Sequence, residues 1–191
     1  MIRDSPIDEF TGLLTDFAKG KRRGIRNPHV IIPVAPPYEQ RAAEYLSNWA
    51  KNVSETTESI GVQSIWLDEI LPRTDVFNVI MKFKGIVENA DSIRKTMHDN
   101  LASDLAKFIT NTIEENSRKQ ILLLLKLGSL YPFAHASDIL DELDRQNVKC
   151  TIGILFPGEI IAGKLSFFGK GTRHYYPAHR IDMQIRGVHI Q

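Results

Sequence analysis

The sequence has 191 residues, 42% hydrophobic and 25% charged, proportions ordinary for a soluble globular chain with room for one substantial core. Its 24 Lys and Arg against 23 Asp and Glu leave a formal charge of +1, so no net field draws the whole chain to nucleic acid or to an anionic membrane. The single cysteine, Cys150, excludes an internal disulfide framework, and no apolar run approaches the ~20 residues that span a bilayer. The opening Met1-Ile-Arg-Asp-Ser-Pro6 lacks a basic-then-apolar targeting pattern, so a cytoplasmic protein is expected.

Ser5-Pro6-Ile7-Asp8 reads as a helix start, with Ser as N-cap and Pro in the first helical position. Ile7, Phe10, Leu14, Phe17 and Ala18 recur at helical spacing, and Gly20 ends the pattern. A basic run follows: Lys19, Lys21, Arg22, Arg23 and Arg26. It reads first as a solvated loop whose cations suit a helix C-terminus; the alternative is a nucleic-acid contact through Lys21, Arg22, Arg23 and Arg26.

Residues 29–34 form a short apolar strand, and Ala35-Pro-Pro37 turns the chain into a helix with the stripe Tyr38, Ala42, Tyr45, Leu46, Trp49 and Val53. A nucleotide-binding domain carries its glycine loop at such a turn. Here Pro33-Val-Ala-Pro-Pro-Tyr-Glu39 has no glycine and no Lys followed by Ser or Thr, which excludes a Walker-type phosphate site. After a polar connector, 62–67 reads as a second strand ending in Asp68-Glu69, taken as acids opening the next helix. A short helix through Val76, Phe77 and Ile80 is expected within 72–88, with Gly85 beyond it.

Ile93, Met97, Leu101, Leu105, Phe108 or Ile109, and Ile113 recur about every four residues and predict a long helix over 91–115, with His98 and Asp99 solvated beside the stripe. The unalternating run 121–127 reads as a central strand covered on both faces. A helix over 137–146 buries Ile139, Leu140 and Leu143, pairs Asp141 with Arg145, and meets Asn147 at its C-terminal end. A fourth strand covers 151–156 and exits into Pro157-Gly158-Glu159, and Gly163 and Gly169-Lys-Gly171 read as turns between the last strands.

Alternating strands and helices imply one α/β domain over residues 1–191, with the N-terminal helix over about 5–19 and the sheet core over about 29–182. The expected sheet is mostly parallel, of about five strands, with helices on both faces, P-loop-NTPase-like but without a Walker A loop. Pro36-Pro37, Asp68, residues 128–133 and residues 157–159 should gather at the strands' carboxyl ends.

Catalytic patterns are broken. Cys150, His135, His174, His179 and His189 are too scattered for a zinc cage. Ser129 follows a strand, but Leu-Gly-Ser-Leu-Tyr is not a nucleophile elbow, and no pattern pairs it with His135 or His179. Glu159 is the carboxylate singled out for function, with Lys164, Arg173 and Arg180 as possible partners; a structural ion pair is the competing reading. Tyr131, Tyr175 and Tyr176 suit an interface, with core packing the competing reading and slightly favoured for Tyr131.

Gly128-Ser-Leu-Tyr-Pro-Phe133, Leu140, Leu155-Phe-Pro-Gly-Glu159, Leu165 with Phe168-Gly169, and Tyr175-Tyr176 with Ala178 and Arg180 occur in an order that resembles the BrxB family of bacteriophage exclusion (BREX) systems. Phe156 stands where the family has Tyr, and Pro177 and His179 where it has Arg and Phe. The resemblance implies a non-catalytic, cofactor-free scaffold or adaptor. It would work beside a PglZ-like phosphatase-domain protein, a BrxC-like ATPase and a PglX-like methyltransferase, with Tyr131, Glu159, Tyr175, Tyr176 and Arg180 facing the partner. The alternative is a DNA- or nucleotide-binding regulatory module of the same system.

Overall fold

A computed structural model of the protein describes residues 5–22, 28–83, 89–113, 119–161, 164–167, 170–172 and 178–190. They fall into two units, the first comprising Met1–Ile65, Asn116–Gly128 and Cys150–Gln191, the second Trp66–Glu115 and Ser129–Lys149.

The first unit holds the sheet. Helix α1 (Pro6–Ala18) begins where Ser5 Oγ accepts the Ile7 N–H at 3.3 Å, and the chain leaves it through Gly20 at φ 69°, a conformation glycine adopts without strain. Strand β1 (His29–Val34) is buried throughout, α2 (Glu39–Thr56) follows, and β2 (Ile60–Trp66) lies at one end of the main path. The remaining strands are β3 (Lys119–Leu125), β4 (Thr151–Ile161), β5 (Lys164–Phe167), β6 (Lys170–Thr172) and β7 (His179–Arg180). The main path of five strands runs β2-β3-β4-β1-β7, and β5 and β6 attach to it through β4. Strands β3, β4, β1 and β7 are mutually parallel, as the sequence predicts, and β4 to β6 form an antiparallel ribbon.

Two features of this unit differ from expectation. Helix α2 buries Glu39, Ala42, Ala43, Leu46, Ser47 and Ala50, while Tyr45 is 47% exposed and Trp49 half-buried. The buried stripe keeps the helical period but consists mostly of small residues, which let the helix approach its neighbours closely, and the large aromatics fall to its margins. Strand β4 does not end at Phe156. It continues through Pro157, Gly158 and Glu159, pairing Pro157 with Val34 and then Gly158 with Phe167 of β5. Gly171 likewise lies within β6 rather than in a turn, while Gly163 and Gly169 fall outside the described residues.

The second unit is helical: α3 (Leu67–Ile70) with Asp68 and Glu69 in its first turn as expected, α4 (Asp75–Met81), α5 (Ala90–Thr112) and α6 (Ala136–Arg145). Gly85, expected beyond α4, lies outside the described residues. Asp104 of α5 accepts the Val76 N–H at 2.8 Å, satisfying a donor in the first turn of α4, and Thr110 donates to Gln146 at 2.7 Å. Asn147 takes φ 58°, and Val148 N–H reaches back to Leu143 O at 3.1 Å, so an αL cap closes α6. Arg145 pairs with Glu142, one turn back by the i,i+3 route, rather than with Asp141 at i,i+4; both positions are neighbours on the helix surface. His98 and Asp99 are exposed as predicted, though His98 Nδ1 also lies 3.2 Å from Phe133 O. No helix among the described residues is long and apolar enough to cross a membrane.

Close approach sets the tolerance of β4. A Cβ on Gly153 would sit 2.8 Å from Leu14 and 2.9 Å from both Leu123 and Phe10, all side chains with some freedom to move. A Cβ on Gly158 would overlap the Ser166 carbonyl oxygen, which is backbone and fixed by the β4–β5 ladder. Gly153→Ala should therefore cost about 1–3 kcal/mol in urea unfolding, the usual range for overpacking. Gly158→Ala should cost more than Gly153→Ala in the same measurement; the reverse order would show that the β5 pairing yields more easily than the α1 packing.

Candidate functional site

Strands β1, β3 and β4 run in one direction, so the residues that follow Val34 and Leu125 and those from Pro157 onward lie on one edge of the first unit. That edge begins with the proline turn. Ala35 N–H donates to Ile185 O at 3.0 Å, Pro36 and Pro37 carry no N–H, Tyr38 N–H donates to Ala35 O at 2.8 Å, and Glu39 N–H returns to Pro36 O. Every backbone donor from residue 35 to 39 is thus absent or committed within the protein. The turn presents no amide cradle for a phosphate, in agreement with the sequence.

The tail of the chain makes this closure. Ile181 N–H donates to Ile31 O at 2.9 Å and Ile185 N–H to Pro33 O at 2.8 Å, laying 181–185 along β1. The short turn Gly187–His189 then folds against the start of α2. A Cβ on Gly187 would stand 3.0 Å from the Tyr38 ring, and Arg41 Nη2 donates to Ile190 O at 2.9 Å. Ala35, Tyr38, Arg41, Arg186, Gly187 and Val188 line a shallow cleft of about 500 Å³. Tyr38, Arg41 and Tyr45 follow one another at helical spacing, and Val188 is 71% exposed.

Beneath this surface lies a carboxylate. Glu39 is only 7% exposed, and its Oε1 accepts the Gly128 N–H at 3.0 Å. The chain leaves β3 through Lys126 at φ 62° and enters the turn Leu127–Leu130, which delivers that N–H. A Cβ on Gly128 would lie 2.6 Å from Glu39 Oε2, so Gly128 makes room for the carboxylate, while the left-handed turn out of the strand falls on Lys126 and not on this glycine.

The residues singled out in sequence do not converge. Glu159 is exposed on the continuation of β4, opposite Ser166, and forms no salt bridge with a described residue. Lys164 pairs in register with Ile161 instead, and Arg180 stands beside Ile31, whose β4 partner is Ile154. Five residues of strand separate Ile154 from Glu159, roughly 16 Å, too far for one ion pair between Glu159 and Arg180. Arg173, Tyr175 and Tyr176 lie outside the described residues, as do Arg23 and Arg26. Tyr131 belongs to the second unit, where it is 39% exposed rather than packed in a core, and a cis bond joins it to Pro132. Of the basic run, Lys21 pairs with Asp16 at 3.1 Å and the Arg22 guanidinium lies 5.9 Å from the centre of the Phe17 ring.

Sequence reasoning missed Glu39, Arg41, Tyr45, Arg186 and Val188. Tyr38-x-x-Arg41-x-x-x-Tyr45 is a readable helical row, but the partners that the tail adds to it come from about 145 residues away, beyond any local pattern.

Compared with known proteins, residues 59–181, well over half of the chain, match the family model described as BREX protein BrxB. No curated protein and no solved structure matches.

The Glu39–Gly128 contact is testable by a double-mutant cycle. Glu39→Ala should cost about 1–3 kcal/mol by leaving the Gly128 amide unpaired, and Gly128→Ala should be markedly less harmful in the Glu39→Ala background, where the clash is gone. Additive losses would place the strain elsewhere. Burial raises the Cys150 thiol above its ordinary value of 9.0. The unfolded chain therefore loses this proton first, and stability falls only as pH rises through and beyond that value. Replacing Cys150 with Ala should flatten the alkaline loss seen by thermal melting, and native Cys150 should alkylate far more slowly than in urea.

Proposed function

The chain belongs to the BrxB family and is thereby a component of a BREX defence system, and on that premise we propose that it acts there as a non-catalytic adaptor, docking larger BREX proteins through the carboxyl edge of its sheet. The observation that carries this reading is the commitment of every amide from residue 35 to 39 to an internal partner or to proline. An edge closed on itself offers side chains to a neighbour instead of backbone to a small ligand. The side chains it offers are Tyr38, Arg41, Arg186 and Val188, with Tyr45 exposed two turns beyond Tyr38 along α2, and tyrosine and arginine are the residue types that most often anchor protein interfaces. Glu159 lies beyond the end of β1 on the same edge, and Tyr175 and Tyr176 are proposed to contribute to the same contact, with Arg180 and Tyr131 as separate contact points.

The partners proposed are the PglZ-like phosphatase-domain protein and the BrxC-like ATPase, with the PglX-like methyltransferase reached through them. Co-expression followed by affinity capture of this chain should recover at least one of the first two. Arg41→Glu combined with Tyr45→Ala should weaken that capture by about thirty-fold or more, the effect of losing an interface anchor worth roughly 2 kcal/mol. Glu159→Ala with Tyr175→Ala and Tyr176→Ala, made separately, should weaken both assembly and phage restriction. Undiminished capture by both sets of variants would remove the carboxyl edge as the docking surface.

A further inference from the structure

The opposite, amino-terminal edge of the same unit gathers cations from three elements distant in sequence. The positive φ of Gly20 folds the chain back at the end of α1, and Lys119 Nζ, at the first residue of β3, lies 3.7 Å from where a Gly20 side chain would begin. Lys119 Nζ thereby lies against the turn whose neighbouring residues are Lys19 and Lys21. The Arg22 guanidinium covers Phe17 at 5.9 Å, and the same ring meets the His179 imidazole edge-on at 5.6 Å, which brings in the first residue of β7. Lys19, Lys21, Arg22, Lys119 and His179 are all exposed, and among the described residues a single salt bridge, Lys21 with Asp16, touches the group.

From this convergence we infer that the amino-terminal edge binds the phosphate backbone of a nucleic-acid duplex without reading its sequence. A chain of net charge +1 that places four fixed cations and a histidine on one edge has concentrated positive charge locally, which suits a polyanion of closely spaced phosphates. Two features select the duplex over other polyanions. Single strands are held by exposed aromatic platforms, and the aromatic here, Phe17, is 7% exposed beneath Arg22. Protein interfaces carry an apolar centre, and none of the exposed large hydrophobics among the described residues belongs to α1, to β7 or to the start of β3. Arg22 stacked on Phe17 is held in place by packing, so its charge stays available to a phosphate. This inference does not rest on the adaptor reading. The two edges lie at opposite ends of β1, so a duplex and a protein partner can be held at once.

The test uses the full chain and fluorescein-labelled duplexes of arbitrary sequence, followed by anisotropy across a salt series. The duplex should bind at low salt, with log K falling against log salt at a slope of about −3 to −4, as expected for three or four neutralised phosphates. Lys21→Gln, Lys119→Gln and Arg22→Met should each make that slope shallower by about 1. The methionine keeps an apolar stem over Phe17, so it separates charge from packing. Together they should reduce low-salt affinity at least about ten-fold, while Lys51→Gln on α2 should change nothing. Equal binding of DNA and RNA duplexes would identify the phosphate backbone alone as the ligand, and a preference for DNA would add B-form spacing to its recognition. No binding at low salt, tighter binding of oligo-dT than of duplex, or variants that melt normally and bind unchanged would each overturn the inference. None of these results bears on capture of a protein partner through Arg41 and Tyr45.

Discussion

Strand β4 imposes the constraint on which the first unit depends: at two points other parts of the chain approach its backbone so closely that a side chain there would force its neighbours to shift. At Gly153 the approach is made by Leu14 and Phe10 of α1 and by Leu123 of β3, so the helix rests directly on the strand. At Gly158 it is made by the carbonyl of Ser166, so the ribbon β5 can fold back immediately. Both glycines act by what they omit. A side chain at Gly153 would push Leu14, Phe10 and Leu123 aside, and one at Gly158 would push the Ser166 carbonyl of β5 away from β4.

The carboxyl edge is governed by a different economy, that of backbone hydrogen bonds. A strand entering a helix leaves amides pointing outward, and an enzyme of this architecture commonly turns them on a ligand. Here prolines delete two of them and the tail satisfies another through Ile185. The carboxylate of Glu39 then reaches across to Gly128, joining the start of α2 to the exit of β3. What remains outward is a row of arginine and tyrosine side chains, whose energetic value is realised only against another large surface.

Much of this was legible because it is local. Strand 29–34, the Ser5 cap, the αL residue Asn147 and the apolar faces of α5 and α6 each announce themselves within a few neighbouring residues. The parallel order followed from alternation of strands and helices. What was not legible depends on distance in space. Pro157 and Gly158 read as a turn because both residues break isolated strands, yet in place one lies beside Val34 and the other makes room for β5. Tyr45 read as core because it keeps the helical period, but it falls at the margin of the face that α2 buries and is exposed. Glu39 drew no reading of its own, since nothing near it in sequence names Gly128 as its partner.

The change of direction in β4 has a consequence for how the protein can vary. Its residues through Pro157 belong to a parallel ladder with β1, and those from Gly158 to an antiparallel ladder with β5, with no spacer between them. Adding or deleting one residue there would invert the faces of Phe156 or of Glu159 and break one ladder to keep the other. A change of length is therefore borne more easily by the connections around β5 and β6 than by the span from Thr151 to Glu159, which acts as a ruler of fixed length.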